Sequence, residues 1–205
     1  EPYRRQRQMC IRDSINTTEV DAELDLDAIE QAITPRTKAI IICTPNNPTG
    51  AVYSEESLRK LAALAVAHDF FIVADEIYEK LVYDGAKHFS VASISQEVKD
   101  RTVTVNGFSK AYAMTGWRIG YAAARADVVK GIMAVQSQTT SATSAISQKA
   151  AVEALRGPQH DLEVMVEEFK RRKDYVVDRL NKIPGITCPD VKGCLLYTSD
   201  AADDK

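Results

Sequence analysis

The chain has 205 residues, 45% of them hydrophobic, enough for one globular domain with a sizeable core. Its net charge of −3 gives no basis for nucleic acid or an anionic membrane as a bulk partner. No apolar run reaches the roughly 18 residues of a membrane span and no signal-peptide pattern opens the chain. The four cysteines form no CxxC pair and no histidine stands at zinc-ligand spacing, so a reduced cytoplasmic protein without a metal site is expected.

Taken in chain order, RRQRQMCIRDS at 4–14 is basic and follows neither a helix nor a strand period. It resembles the translation of a sequencing-library adaptor, and CLLYTSDAADD at 194–204 resembles the translation of the complementary strand. Residues 1–14 and 194–205 are therefore expected to be adaptor-derived and to lie outside the core as extended chain. That leaves 15–193 as an internal piece of a longer protein. Within it KAIIIC (38–43), FFIVA (70–74), TVTV (102–105) and GYAAA (120–124) are short apolar runs, the pattern of strands buried on both faces. Ser54, followed by Glu55 and Glu56, caps a helix with Leu58, Leu61, Ala62 and Ala65 at helical spacing. Further helices are predicted over 126–137 and 142–155. A long one follows over 159–181, with Leu162, Met165, Val166, Phe169, Val176 and Leu180 along one stripe and Pro184-Gly185 beyond its end. GITCPDV (185–191) then begins a strand. Strand–helix alternation predicts an α/β fold, a three-layer sandwich with a largely parallel sheet. Residues 15–158 form part of a large domain, and 159–193 a long helix plus the start of a small α+β domain.

In open α/β sheets, ligands bind beyond the carboxyl ends of the strands. Three such ends here run into TPNNPTG, DEIYEKLVY and NGFSKAYAMTGWRIG. The last sets Lys110 directly after Ser109, with Arg118 eight residues on, past a Thr-Gly-Trp turn. Asn-Pro-Thr-Gly alone is also a plain turn, but the ordered set of three resembles the fold-type I pyridoxal-phosphate enzymes, specifically the class I aminotransferases. The prokaryotic aspartate aminotransferase branch is the most similar, through DEIYEKLVYDG and SKAYAMTGWRIGYAA. The resemblance covers nearly all of 15–193.

It implies a role for each of six residues. Lys110 holds pyridoxal 5'-phosphate covalently through its amine and, once displaced by a substrate amine, moves a proton at the substrate Cα. Asp75 keeps the pyridine nitrogen protonated, so that the ring accepts electrons. Tyr78 and Asn47 hydrogen-bond the phenolic oxygen, and Ser109 and Arg118 hold the phosphate. Lys110, Asp75 and Tyr78 are thus the expected catalytic residues, and all six the cofactor-binding set. They are expected to converge on one pocket, with Ser109 beside Arg118.

The residues alone also allow plainer roles: an exposed helix lysine, a helix N-cap, a core tyrosine, a turn asparagine. An ATPase-like strand end at Asp75 would require a GxxxxGK[ST] loop, which this sequence does not contain. His68, His88 and His160 read as isolated, Trp117 and Tyr112 as packing residues, and Cys43 as a strand residue. The implied activity is amino-group transfer between an L-amino acid, aspartate by preference, and a 2-oxo acid, by a cytoplasmic homodimer. A pyridoxal-phosphate lyase of the same fold, or the cofactor-sensing domain of a transcriptional regulator, are the alternatives. The family pattern also needs an N-terminal glycine-containing phosphate loop, a ring-stacking aromatic, a tyrosine from the partner subunit and a C-terminal arginine. None lies within 15–193, so the segment alone is expected to be inactive.

Overall fold

The computed structural model describes residues 13–17 and 23–194, and the backbone of 200–201. Helix α1 (Leu26–Ala32) starts where Asp25 Oδ1 accepts from the Ala28 amide at 2.9 Å. Strand β1 (Ala39–Cys43) leads to α2 (Glu55–Ala67), capped by Ser54 Oγ on the Ser57 amide, and then to β2 (Phe71–Asp75). Helix α3 (Gln96–Arg101), capped by Ser95, runs into β3 (Thr102–Gly107), and β4 (Gly120–Ala123) follows. Three helices come next, α4 (Ala126–Thr139), α5 (Ala145–Arg156) and α6 (His160–Leu180). Strands β5 (Ile186–Thr187) and β6 (Asp200–Ala201) form a separate antiparallel pair.

The main sheet has the order β1-β2-β3-β4, with the first three strands parallel and β4 antiparallel. All four lie within one or two residues of the expected runs. The short α1 and α3 were not legible, since neither is long enough to show a helical period.

On one face of the sheet Ile42, Ile72 and Ala74 are buried against Leu58, Leu61 and Ala65 of α2 and Val98 of α3. The other face differs from the expectation of strands buried on both sides. Ile41 is 70% exposed, and every residue of β4 is exposed. Side chains alternate along a strand, and the helices joining these strands cover only the face that Ile42 and Ile72 share.

Helix α6 lays Met165, Val166 and Phe169 against Tyr78 and Leu81, as its stripe foretold. Lys173 falls on the same stripe, with a side chain only 2% exposed. It donates to Asp84 and to Asp190 Oδ1 (2.7 Å) and lies 3.1 Å from Asp174, while Lys170 reaches Asp84 at 2.8 Å. Burial opposes the Lys173 charge, yet these carboxylates hold its ammonium above the ordinary lysine value. Hydrogen bonds from Lys170 and Lys173 hold the Asp84 carboxyl down to about 2.

The chain then returns to the turn after β1. The Gly50 carbonyl accepts from the amides of Lys192 (3.2 Å) and Gly193 (2.9 Å). Gly50 has φ +71°, and an added Cβ would stand 2.4 Å from Val191 Cβ, so glycine alone fits. The expectation that residues from 194 onward lie outside the core is corrected at Cys194, which is 1% exposed. Its amide donates to Leu81 O (3.0 Å) and its carbonyl accepts from Tyr83 Oη (2.7 Å). The bridge between Val82 and Gly193 delivers this side chain beside Tyr78, with which it makes a side-chain hydrogen bond. Asp200–Ala201 likewise pair with β5 rather than hanging free. At the other end Asp13 and Ser14 are exposed; 1–12, 195–199 and 202–205 lie outside the described residues.

Candidate active site

Register sets one edge of the sheet. Cys43 pairs with Asp75, and Asp75 with Val105, so the carboxyl ends of β1, β2 and β3 lie side by side. Because β4 is antiparallel, its first residue, Gly120, pairs with Gly107 at that same edge. Asn47 just after β1, Asp75 at the end of β2, Ser109 and Lys110 just after β3, and Arg118 just before β4 are therefore all placed there.

After β1 the chain turns through cis Thr44–Pro45 and Asn47–Pro48 peptides. Asn46 closes this turn: its Oδ1 accepts from Thr49 Oγ1 at 2.8 Å, and its amide donates to Ala51 O at 2.7 Å. Asn47 is left to donate from Nδ2 to Tyr78 Oη at 3.1 Å. Tyr78 is buried, which pushes its phenol up; neighbouring Cys194 adds to this and the Asn47 amide opposes it. The Lys110 ammonium lies 5.7 Å from the centroid of the Tyr78 ring. Asn47, Tyr78 and Lys110 thus form one contiguous group drawn from three strand ends. Asp75 Oδ1 accepts from the Ile77 amide at 3.1 Å, an Asx-type turn that fixes the carboxylate at the strand end.

The loop from Phe108 to Ile119 leaves and re-enters the sheet between two abutting glycines. A Cβ on Gly120 would stand 3.0 Å from Asn106 O, and one on Gly107 3.1 Å from Ile77 Cδ1. Phe108 and Met114 anchor the loop on Ala151 of α5, and Ser147 of α5 donates to Trp117 O at 2.9 Å.

Arg118 is exposed, in the left-handed region at φ +50°, and its Nη1 donates to Thr115 O at 3.0 Å. It lines a cavity of about 850 Å³ with Trp117, Gln136, Thr143 and Ser147. None of the other five expected residues lines that cavity. The guanidinium turns back onto its own loop and makes no hydrogen bond with Ser109.

Glu76 was missed. Its side chain is 4% exposed and accepts from Ser90 Oγ (2.8 Å) and His88 Nε2 (3.2 Å). His88 therefore corrects its reading as an isolated histidine. Twelve positions separate the pair, and the Asp-Glu doublet ending an apolar strand was the one signal present.

The α/β sheet with its lysine-bearing loop at the carboxyl edge is the arrangement found in solved fold type I aminotransferases. Residues 8–204 match the family described as aminotransferase class I and II. The aspartate aminotransferase of Geobacillus stearothermophilus is 47% identical over 177 residues, 86% of this chain and 45% of that protein. The probable aspartate/prephenate aminotransferase of Aquifex aeolicus is 46% identical over 180 residues, 87% of this chain and 46% of that protein. The crystal structure of the Rhizobium meliloti aspartate aminotransferase superposes with a TM-score of 0.88 at 42% identity, covering 94% of this chain and 48% of that one. The chain belongs to the class I and II aminotransferase family. It spans about half the length of the curated relatives it matches.

Proposed function

We propose that this chain is part of a pyridoxal-phosphate-dependent aminotransferase that moves an amino group between an L-amino acid, aspartate by preference, and a 2-oxo acid. The observation that carries this is the Lys110 ammonium beside the Tyr78 ring, with the Tyr78 oxygen held by Asn47. The names of the relatives support the substrate class.

The residues present fit the cofactor. Asn47 donates to the Tyr78 oxygen, and the Tyr78 hydroxyl has a second side-chain hydrogen bond with Cys194, which a cofactor oxygen would have to replace. Lys110 makes no ion pair within 4 Å among the described residues, so its amine is not held by a carboxylate. Pyridoxal phosphate, when bound, supplies a carbonyl that captures amines and a ring that accepts electrons from the substrate Cα. Lys110 anchors it and carries the proton at Cα. Asp75, immobilised by the Ile77 amide, holds a proton at the pyridine nitrogen. Tyr78 and Asn47 donate at the phenolic oxygen. Ser109 and Arg118 would hold the phosphate; one Arg118 Nη1 hydrogen is turned to Thr115 O, which leaves the other guanidinium hydrogens for it. The large domain covers 15–158, and the small domain begins with the long helix at 159. The complete enzyme works as a homodimer in the cytoplasm; no helix among the described residues is long and apolar enough to cross a membrane.

The test uses the full-length protein loaded with pyridoxal phosphate. Amino-group transfer from L-aspartate that depends on a 2-oxo acid is expected. Release of ammonia or carbon dioxide without a 2-oxo acid would refute the assignment in favour of a lyase.

A further inference from the structure

We propose that Glu76 is a positioning residue for Asp75, seated by His88 and Ser90. The inference rests on the reading above that Asp75 serves the pyridine nitrogen, and it extends that reading to a residue that touches no substrate.

The peptide between Asp75 and Glu76 braces three strand ends. The Asp75 carbonyl accepts from Thr44 N at 3.1 Å on the β1 side, and Glu76 N donates to Val105 O at 2.8 Å on the β3 side. Successive side chains in extended chain point to opposite faces, so Glu76 turns away from the face that Asp75 occupies. It enters the protein instead of water, with 4% of its side chain exposed.

A carboxylate there is stable only if donors replace the lost water. Ser90 Oγ at 2.8 Å and His88 Nε2 at 3.2 Å are those donors. Both belong to the segment that follows β2, so the carboxylate ties this segment to the strand end. The tie is mutual: His88 Nδ1 is buried with no hydrogen-bond partner among the described residues, so the bond to Glu76 is what orients the ring. Glu79 brings a second carboxylate close: one oxygen each of Glu76 and Glu79 and one ring nitrogen of His88 all lie within 4.8 Å of one another. Its like charge works against Glu76, which makes the two donors more necessary.

Removing the Glu76 side chain leaves two part-buried donors unpaired and loosens the strand end that carries Asp75. A misplacement of about 1 Å at a reacting group costs on the order of a hundredfold in rate. The effect is on chemistry rather than on substrate capture, because Asp75 acts on the ring and not on the substrate carboxylate.

The experiment compares Glu76→Ala, Glu76→Gln and Ser90→Ala in the full-length protein loaded with pyridoxal phosphate, with Lys110→Ala as control. Steady-state kinetics give kcat and KM, visible absorbance reports the bound cofactor, and hydrogen exchange follows the Thr44 and Glu76 amides in cofactor-free protein. Glu76→Ala is expected to keep the visible band and to lose at least about tenfold in kcat, with KM changed by no more than about twofold. Its Thr44 and Glu76 amides should exchange about tenfold faster. Glu76→Gln, which can still pair with both partners, should recover kcat to within about threefold of the parent, and Ser90→Ala should fall between.

Unchanged kcat in Glu76→Ala despite faster exchange would overturn the inference, since the carboxylate would then be structural only. Failure of Glu76→Gln to recover would also overturn it. So would a change in kcat on adding a chelator to the parent, which would make the cluster a cation site. If Glu76→Ala does not fold, Ser90→Ala decides, and an unchanged kcat there overturns the inference. Failure of the underlying reading looks different: the parent takes up no visible band, or Lys110→Ala retains one, and both readings fall together.

Discussion

Replacing Lys173 with methionine removes the cation at the meeting point of three carboxylates while nearly preserving volume, so little cavity is created. Taking one partner out of a buried ion pair costs about 3–5 kcal/mol. The surroundings here reduce that figure. Asp84 keeps Lys170 at 2.8 Å, Asp174 keeps Lys170 at 2.6 Å, and Asp190 keeps Lys192 at 2.7 Å. The Asp174 and Asp190 side chains are also half exposed, so water screens them. A loss of about 2 kcal/mol is therefore expected at pH 7. With a urea slope near 2 kcal/mol/M, that shifts the unfolding midpoint down by about 1 M, readable by far-UV circular dichroism. The pH dependence has a definite sign. Asp84 is held at about 2, below its ordinary 3.8, so its contribution is complete above the ordinary value and is lost as pH falls through the folded one. The gap between parent and Lys173→Met should narrow between about pH 4 and about pH 2. Equal stability at pH 7 would refute the reasoning, because the burial cost of the ammonium would then match all it gains from its partners. A gap that persists unchanged at pH 2 would do the same.

Three further outcomes concern the full-length protein. Lys110→Ala should abolish the visible absorbance of bound cofactor and nearly all turnover; retained turnover excludes Lys110 as the anchor. Asp75→Asn should leave cofactor bound but slow loss of the Cα proton by orders of magnitude, each tenfold being about 1.4 kcal/mol of barrier, as single-turnover kinetics with Cα-deuterated substrate would show. Arg118→Ala should weaken cofactor affinity more than it slows chemistry, since a remote phosphate is held alike in ground and transition states. A dissociation constant that stays put while kcat alone falls would speak against the phosphate role. Finally, adaptor-free reads of the source DNA should contain neither RRQRQMCIRDS nor CLLYTSDAADD; finding either there shows that the segment is native.

What could be read from the sequence followed a physical division. The β-branched runs at 39–43 and 71–75 announce themselves because apolar alternation and helix periods are local properties of the chain. The lysine loop was legible because its residue types are fixed by chemistry and stand close together. Contacts between distant residues were not legible. Nothing near Glu76 in sequence points to Ser90, and nothing near Arg118 shows that its guanidinium will prefer Thr115. Lys173 left a trace that went unused: it occupies the helical position between Phe169 and Val176, on the apolar stripe, where a lysine must either snorkel or find carboxylates. The one-sided burial of the sheet had no local signal at all, because Ile41 is as apolar as Ile42. Which of the two finds a helix against it depends on the path of the connecting chain.

The loop that carries Lys110 and Arg118 also carries Trp117, the only tryptophan in the chain. Its side chain is 45% exposed and faces the cavity that Arg118 lines, while its carbonyl is pinned by Ser147. This chain therefore holds its single tryptophan on the segment assigned to cofactor capture, with its backbone tethered and its indole in contact with solvent. Any ligand that draws Arg118 away from Thr115 must rearrange the indole's immediate neighbour, and in this chain the emission of one unlabelled residue becomes an optical gauge of that movement.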